Sequence, residues 1–116
     1  MKYMLLMYAS EAVAPKFTPD ELKAVQQDWF TYMKEAGAAG VLLDNNGLTP
    51  VATATTVRVR KDKILTTDGP FAETHEQLAG YSILNCKDLD EAISWAARTP
   101  MAKYGSVEIR PLFMQQ

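Results

Sequence analysis

The opening run Met1-Lys2-Tyr3-Met4-Leu5-Leu6-Met7-Tyr8 constrains the fold more than any other stretch of this chain. It is short and almost wholly apolar, which suits a central strand buried on both faces rather than a half-exposed one. Side chains alternate across a strand, so Met4 and Leu6 fall on one side and Leu5 and Met7 on the other. The run is shorter than the ~7 to 15 apolar residues of a signal peptide core, and no stretch approaches the ~20 needed to span a bilayer. A soluble, cytoplasmic protein with no membrane partner is expected. The single cysteine, Cys86, has no intrachain partner for a disulfide, which fits a reducing compartment. It is expected to be buried and inert.

The next segments carry their own boundaries. Phe17-Thr18-Pro19-Asp20-Glu21-Leu22 is a helix start, with Thr18 as N-cap, Pro19 at the first helical position, Glu21 closing a capping box and Phe17 stapled to Leu22. Leu22, Val25, Trp29, Tyr32, Met33 and Ala36 then share one face at helical spacing, and Gly37 and Gly40 end the helix. A short strand is expected near Val41-Leu42-Leu43, followed by a tight turn at Asn46-Gly47. Thr55 to Arg60 alternates, turns at Lys61-Asp62 and returns through Lys63 to Thr67 as a hairpin. Gly80 to Cys86 reads as a strand. Asp88 caps a second helix, whose apolar stripe is expected to be Leu89, Ala92, Ile93, Ala96 and Ala97, with Trp95 outside it. Thr99-Pro100 stops that helix. The last strand, Gly105 to Leu112, sets Val107 and Ile109 against Glu108 and Arg110.

This order predicts one α+β domain over residues 1–116, with two helices on one face of a mainly antiparallel sheet in a ferredoxin-like sandwich. Two helices on one side leave the other sheet face uncovered. The two-sided apolar first strand says that this face is not fully solvated, so a homodimer pairing two sheets around a shared interior is expected.

A net charge of −2 with no clustered excess of Lys and Arg excludes a general nucleic-acid surface. One His and one Cys, without metal-ligand spacing, argue against a transition-metal site, and no phosphate loop or dinucleotide fingerprint implies a cofactor. Asp68 is the first candidate catalytic residue, because Gly69-Pro70 makes a rigid corner after a strand. Its carboxylate is either an acid/base at a cleft mouth or an acceptor of backbone N–H groups in an Asx-type turn. His75, the one histidine, is a second acid/base candidate or a solvated loop residue. Glu108 and Arg110 share a strand face and point into the proposed interior. There Arg110 either holds an anionic ligand group or is neutralised by Asp68 or Glu73 as a structural ion pair. Phe71 and Tyr81 complete the candidate substrate-binding set.

The stretches Met1 to Tyr8, Thr67-Asp68-Gly69-Pro70-Phe71-Ala72-Glu73-Thr74, Glu76-Gln77-Leu78-Ala79-Gly80-Tyr81, Asp88-Leu89-Asp90-Glu91-Ala92, Trp95-Ala96-Ala97-Arg98 and Gly105 to Leu112 resemble the YCII-related family, specifically its DGPF subgroup. The resemblance covers nearly the whole chain and implies a ferredoxin-like fold forming a dimeric α+β barrel. It also implies a cleft with a catalytic acid, onto which Asp68 maps. Related YCII-type proteins are thought to pair a His with an Asp, and one branch acts on chlorinated aromatic compounds as a dehydrochlorinase. This chain departs from that pattern. The helix from Pro19 to Ala36 has no histidine, and His75 stands where DGPF members usually carry Lys. Many DGPF members are encoded beside, or fused to, extracytoplasmic-function sigma factors, which implies a regulatory link through a protein partner. Two readings follow. One is a small-molecule site in a dimeric barrel, taking an anionic or aromatic ligand, with Asp68 active in weak catalysis or serving as an anchor. The other is a non-enzymatic regulatory module bound to a sigma factor.

Overall fold

The computed structural model describes residues 1–12 and 16–115. Its strands and helices are β1 (Lys2–Ala9), α1 (Pro19–Ala38), β2 (Leu42–Gly47), β3 (Thr55–Arg60), β4 (Lys63–Asp68), β5 (Gln77–Asn85), α2 (Leu89–Ala97) and β6 (Ser106–Pro111). Four strands form an antiparallel sheet in the order β2-β5-β1-β6, an α+β arrangement consistent with the ferredoxin-like topology. The sheet is open at both edges. The expected hairpin forms, turning through Lys61 (φ 50) and Asp62 (φ 61), but as a separate two-stranded ribbon outside that sheet.

The cap residues act as their types dictate. Thr18 Oγ1 accepts from the Glu21 amide at 3.2 Å, and Glu21 accepts from the Thr18 amide at 3.1 Å. Asp88 accepts from the Glu91 amide at 2.9 Å. Phe17 departs from the expected staple: it meets Tyr104 edge-on at 5.5 Å, and Leu22 stays exposed. Gly37 lies inside α1, while Gly40 is the left-handed residue beyond it. The expected turn at Asn46-Gly47 is instead strand, because both residues pair with β5, Asn46 opposite Tyr81 and Gly47 opposite Gly80. The turn moves on to a 3-10 segment at Val51–Thr53, closed by the Thr53 amide donating to Pro50 O at 2.9 Å.

Both helices cover one face of the sheet. Tyr3 and Leu5 from β1 and Leu84 from β5 pack there against Tyr32 and Ala36 of α1 and against Ala92, Trp95 and Ala96 of α2. The stripe of α2 is rotated from the expected one: Trp95 is 9% exposed, whereas Leu89 and Ile93 are 50% and 49% exposed. Trp95 turns inward because its indole meets Tyr32 edge-on at 6.0 Å while the Arg98 guanidinium lies 4.2 Å over its ring. Arg98 in turn pairs with Glu35 of α1, tying the two helices together. Cys86 is buried as expected, and burial, with the Glu91 charge adding to it, pushes its thiol pKa up, away from the reactive thiolate.

The Tyr32 hydroxyl is buried without a hydrogen-bond partner among the described residues. Burial pushes its pKa up to about 12, against a smaller opposing pull from the Arg98 charge. The folded state therefore holds the phenolic proton more tightly than the unfolded chain. That contribution is complete below pH ~10 and is lost as the pH rises toward the folded value. Tyr32→Phe is expected to match or exceed wild-type stability at pH 7 by up to ~1 kcal/mol, since the hydroxyl is desolvated without return. Urea melts should also show the variant losing less stability than wild type above pH 10. A variant clearly less stable at neutral pH would mean that the hydroxyl is satisfied.

Candidate functional site

The site begins with the parity of β1. Tyr3, Leu5 and Met7 are buried beneath the helices, so Met4, Leu6 and Tyr8 lie on the uncovered face, only partly buried. The ladder places three rows of side chains on that face. Asp44, Ile83, Met4 and Arg110 form one row, Asn46, Tyr81, Leu6 and Glu108 the next, and Leu78, Tyr8 and Ser106 the third. Rows lie about 7 Å apart, and neighbours within a row about 4.8 Å apart. The middle of the face is thus apolar, with polar groups along both edges.

At the third row, the segment from Pro70 to Gln77 overhangs the sheet. Pro70, Phe71, Glu73, Glu76, Leu78 and Tyr8 are among the residues lining a cavity of about 770 Å³. Gly69 makes this possible: it takes φ 97, a left-handed angle that a side chain disfavours, and its amide donates to Ala54 O at 2.7 Å. The Thr56 hydroxyl donates to Gly69 O at 2.8 Å, locking the corner from β3. Beyond the corner, the Thr74 hydroxyl donates to Glu76 O and the Gln77 side chain donates to Thr74 O, each at 2.6 Å. The Ser106 hydroxyl donates to Glu76 Oε2 at 3.1 Å, fastening the overhang to β6.

The structure divides the sequence-derived candidates into groups. Phe71 and Glu73 come together in the cavity wall. Tyr81, Glu108 and Arg110 share the open face, with Leu6 standing between Tyr81 and Glu108. Tyr81 is held at the β2 edge, its hydroxyl donating to Asp44 Oδ2 and accepting from Asn46 Nδ2, both at 3.0 Å. Asp68 stands apart at the end of β4, exposed, and neither it nor His75 lines the cavity. No Asx-type bond from the Asp68 carboxylate occurs among the described residues; the corner is held by backbone and Thr56 instead. Nor does Arg110 pair with Asp68 or Glu73, the ion pair found among the described residues being Arg98 with Glu35. His75 is exposed in its loop, and no group of side chains suited to a metal occurs among the described residues.

Sequence reasoning missed Tyr8, Glu76 and Leu78 as lining residues. Tyr8 was within reach, since it shares the period-two parity of Met4 and Leu6. Leu78 was not, because a shift in register at Met7/Tyr8 brings it opposite Tyr8. A second, smaller cavity of about 230 Å³ lies on the covered face between Met7, Trp29, Asn45, Gly80 and Met101. It carries none of the candidate residues.

Chemically, the larger cavity offers two aromatic rings, Tyr8 and Phe71, aliphatic walls from Val51, Pro70 and Leu78, and two carboxylates, Glu73 and Glu76, with no basic group among the described residues that line it. The nearest cationic side chain of the candidate set, Arg110, lies two rows away on the same face.

The YCII-related domain model matches residues 1–115 of this chain. An uncharacterised protein of Rhizobium meliloti (strain 1021) is 36% identical over 114 residues, covering 97% of this chain and 92% of that protein. The chain belongs to the YCII-related family.

Proposed function

We propose that this YCII-related protein is a small-molecule-binding member of the DGPF subgroup, which takes an aromatic ligand on the open sheet face beneath the Pro70–Gln77 overhang. The observation that carries this reading is the cavity of about 770 Å³, within the ~300 to 1,000 Å³ range of ligand sites, with Tyr8 and Phe71 in its wall. In a homodimer whose open faces meet, that cavity becomes part of a shared interior closed from water. Arg110, two rows away, then serves an anionic group on the ligand, while Asp68 is the acid/base or anchoring group at the rim.

Titration with phenol and with benzoate, followed by protein NMR, tests this. Shifts are expected at Tyr8, Phe71 and Leu78, with Phe71→Ala weakening both probes about tenfold. Arg110→Ala should weaken benzoate and spare phenol. Asp68→Asn should remain folded and bind less tightly; if it unfolds the protein instead, the carboxylate is structural. Shifts confined to the smaller cavity, or none at millimolar probe, would remove the proposal.

The alternative of a regulatory module serving an extracytoplasmic-function sigma factor draws on the exposed apolar side chains of the β3–β4 ribbon. Co-purification with such a factor, lost on Ile64→Asp, is its test.

A further inference from the structure

Two neighbouring glycines open a gap in the covered face of the sheet. The ladder sets Gly47, Gly80 and Met7 side by side on that face, and the next rung carries Asn45, Ser82 and Leu5. With no side chain on Gly47 or Gly80, nothing rises from that part of β2 and β5 to meet α1. The space left is the cavity of about 230 Å³ walled by Met7, Trp29, Asn45 and Met101. Gly80 is buried and has no room for a side chain, since an added Cβ would lie 2.8 Å from Asn46 O. Gly47 differs, because an added Cβ there meets nothing within 4 Å, so its glycine is not demanded by packing. It is also exposed, so the cavity opens to solvent at the β2 edge of the sheet.

We propose that this cavity binds a small neutral aromatic compound carrying a carbonyl group, its ring held among Met7, Trp29 and Met101 and its carbonyl oxygen accepting a hydrogen bond from the Asn45 carboxamide. The size fits, since a dry cavity of ~150 Å³ already admits benzene, and the present one leaves room for one substituent. Two thioethers and an indole suit an aromatic ring, because sulfur packs favourably at ring edges and long unbranched side chains adapt to its outline. The indole is itself fixed, meeting Tyr32 edge-on at 5.8 Å. No charged side chain occurs among the described residues that line the cavity, so an ionised ligand would enter it without a counter-charge.

Asn45 supplies the polar contact. The fully buried Ser82 hydroxyl donates to Asn45 Oδ1, which fixes the carboxamide plane. Asn45 Nδ2 donates to the Met33 sulfur at 3.4 Å, and a thioether is a weak acceptor. The reverse orientation would set Oδ1 against that sulfur, which has no proton to give. One N–H of the carboxamide therefore has no partner among the described residues, and a carbonyl oxygen is the acceptor that a part-buried amide N–H lacks.

This cavity shares no lining residue with the one beneath the Pro70–Gln77 overhang and lies on the other face of the sheet, so the two readings fail separately. Acetophenone titrated into the full chain, labelled with ¹³C at the methionine methyls, is the test. Saturable shifts are expected at Met7 and Met101. Benzoate, of similar shape but charged, should leave both methyls unmoved. Gly47→Val fills the floor of the cavity and should abolish the acetophenone shifts while keeping the wild-type response to benzoate on the open face. Asn45→Asp keeps an acceptor for Ser82 but removes the N–H, and should weaken acetophenone about tenfold more than ethylbenzene, which has no acceptor. Absence of saturable shifts at Met7 and Met101 in wild type would overturn the site whatever the variants do, as would undiminished acetophenone binding by Gly47→Val. Shifts of the same two methyls by benzoate would overturn the neutral class of ligand. Equal losses for acetophenone and ethylbenzene in Asn45→Asp would overturn the carbonyl contact.

Discussion

Gly105→Ala is expected to destabilise the protein by about 3 kcal/mol, at the upper end of what overpacking usually costs. A Cβ at this position would lie 1.9 Å from Tyr8 O and 3.2 Å from Ala9 Cα. Both are backbone atoms of the central strand, so no side chain can rotate away. The start of β6 must instead lift from β1, losing the rung between Tyr8 and Ser106. Those two residues also form the third row of the open face, so the cavity floor is disturbed along with the sheet. Gly37→Ala is the control: nothing lies within 4 Å of its added Cβ, and within α1 alanine gains ~0.5 to 1 kcal/mol over glycine. Thermal melts should therefore move in opposite directions, the Gly105 variant falling by ~10 °C or more. Equal midpoints for the two variants would mean that β6 has room to relax.

Trp95→Ala should cost about 3 to 5 kcal/mol, whereas Ile93→Ala should cost less than about 1 kcal/mol. The contrast reverses what the apolar pattern of α2 alone suggests. Trp95 closes the helical layer over Tyr32, and removing the indole leaves a void at the junction of both helices and also strips Arg98 of its ring contact. Ile93, half exposed, loses little water-excluded area when truncated. Urea unfolding of the two variants separates the alternatives directly. A costly Ile93→Ala would place that side chain in a buried contact, either a rotated α2 or an interface.

The caps, the Lys61-Asp62 turn and the alternation of β1 and β6 were legible because each is governed by residues within a few positions of one another. Thr18 and Glu21 satisfy each other's backbone amides whatever surrounds them. Val107 and Ile109 must oppose Glu108 and Arg110 in any strand. The orientation of α2 was not legible in this way. Leu89 and Ile93 form as plausible a stripe as Ala92, Trp95 and Ala96, and only the presence of Tyr32 from α1, more than fifty residues earlier, selects the second. Asn46-Gly47 has the composition of a turn, yet the unpaired edge of β5 offered its backbone a ladder, and the ladder prevailed.

The candidate site divides along the same line. From the opening strand alone, Met4 and Leu6 had to share one sheet face and Leu5 and Met7 the other, and Gly69-Pro70 had to turn the chain after β4; which of the two faces the helices cover was settled by the fold. Tertiary structure decided that the turn folds back over Tyr8 and Leu78 to make a cavity with Phe71 and Glu73, and that Asp68 stays outside it on a ribbon apart from the main sheet. The physical reason is range. Backbone geometry and side-chain alternation act over a few residues, whereas the partner of a strand edge or an apolar face is settled by which distant segment buries it at the lowest cost in unpaired polar groups.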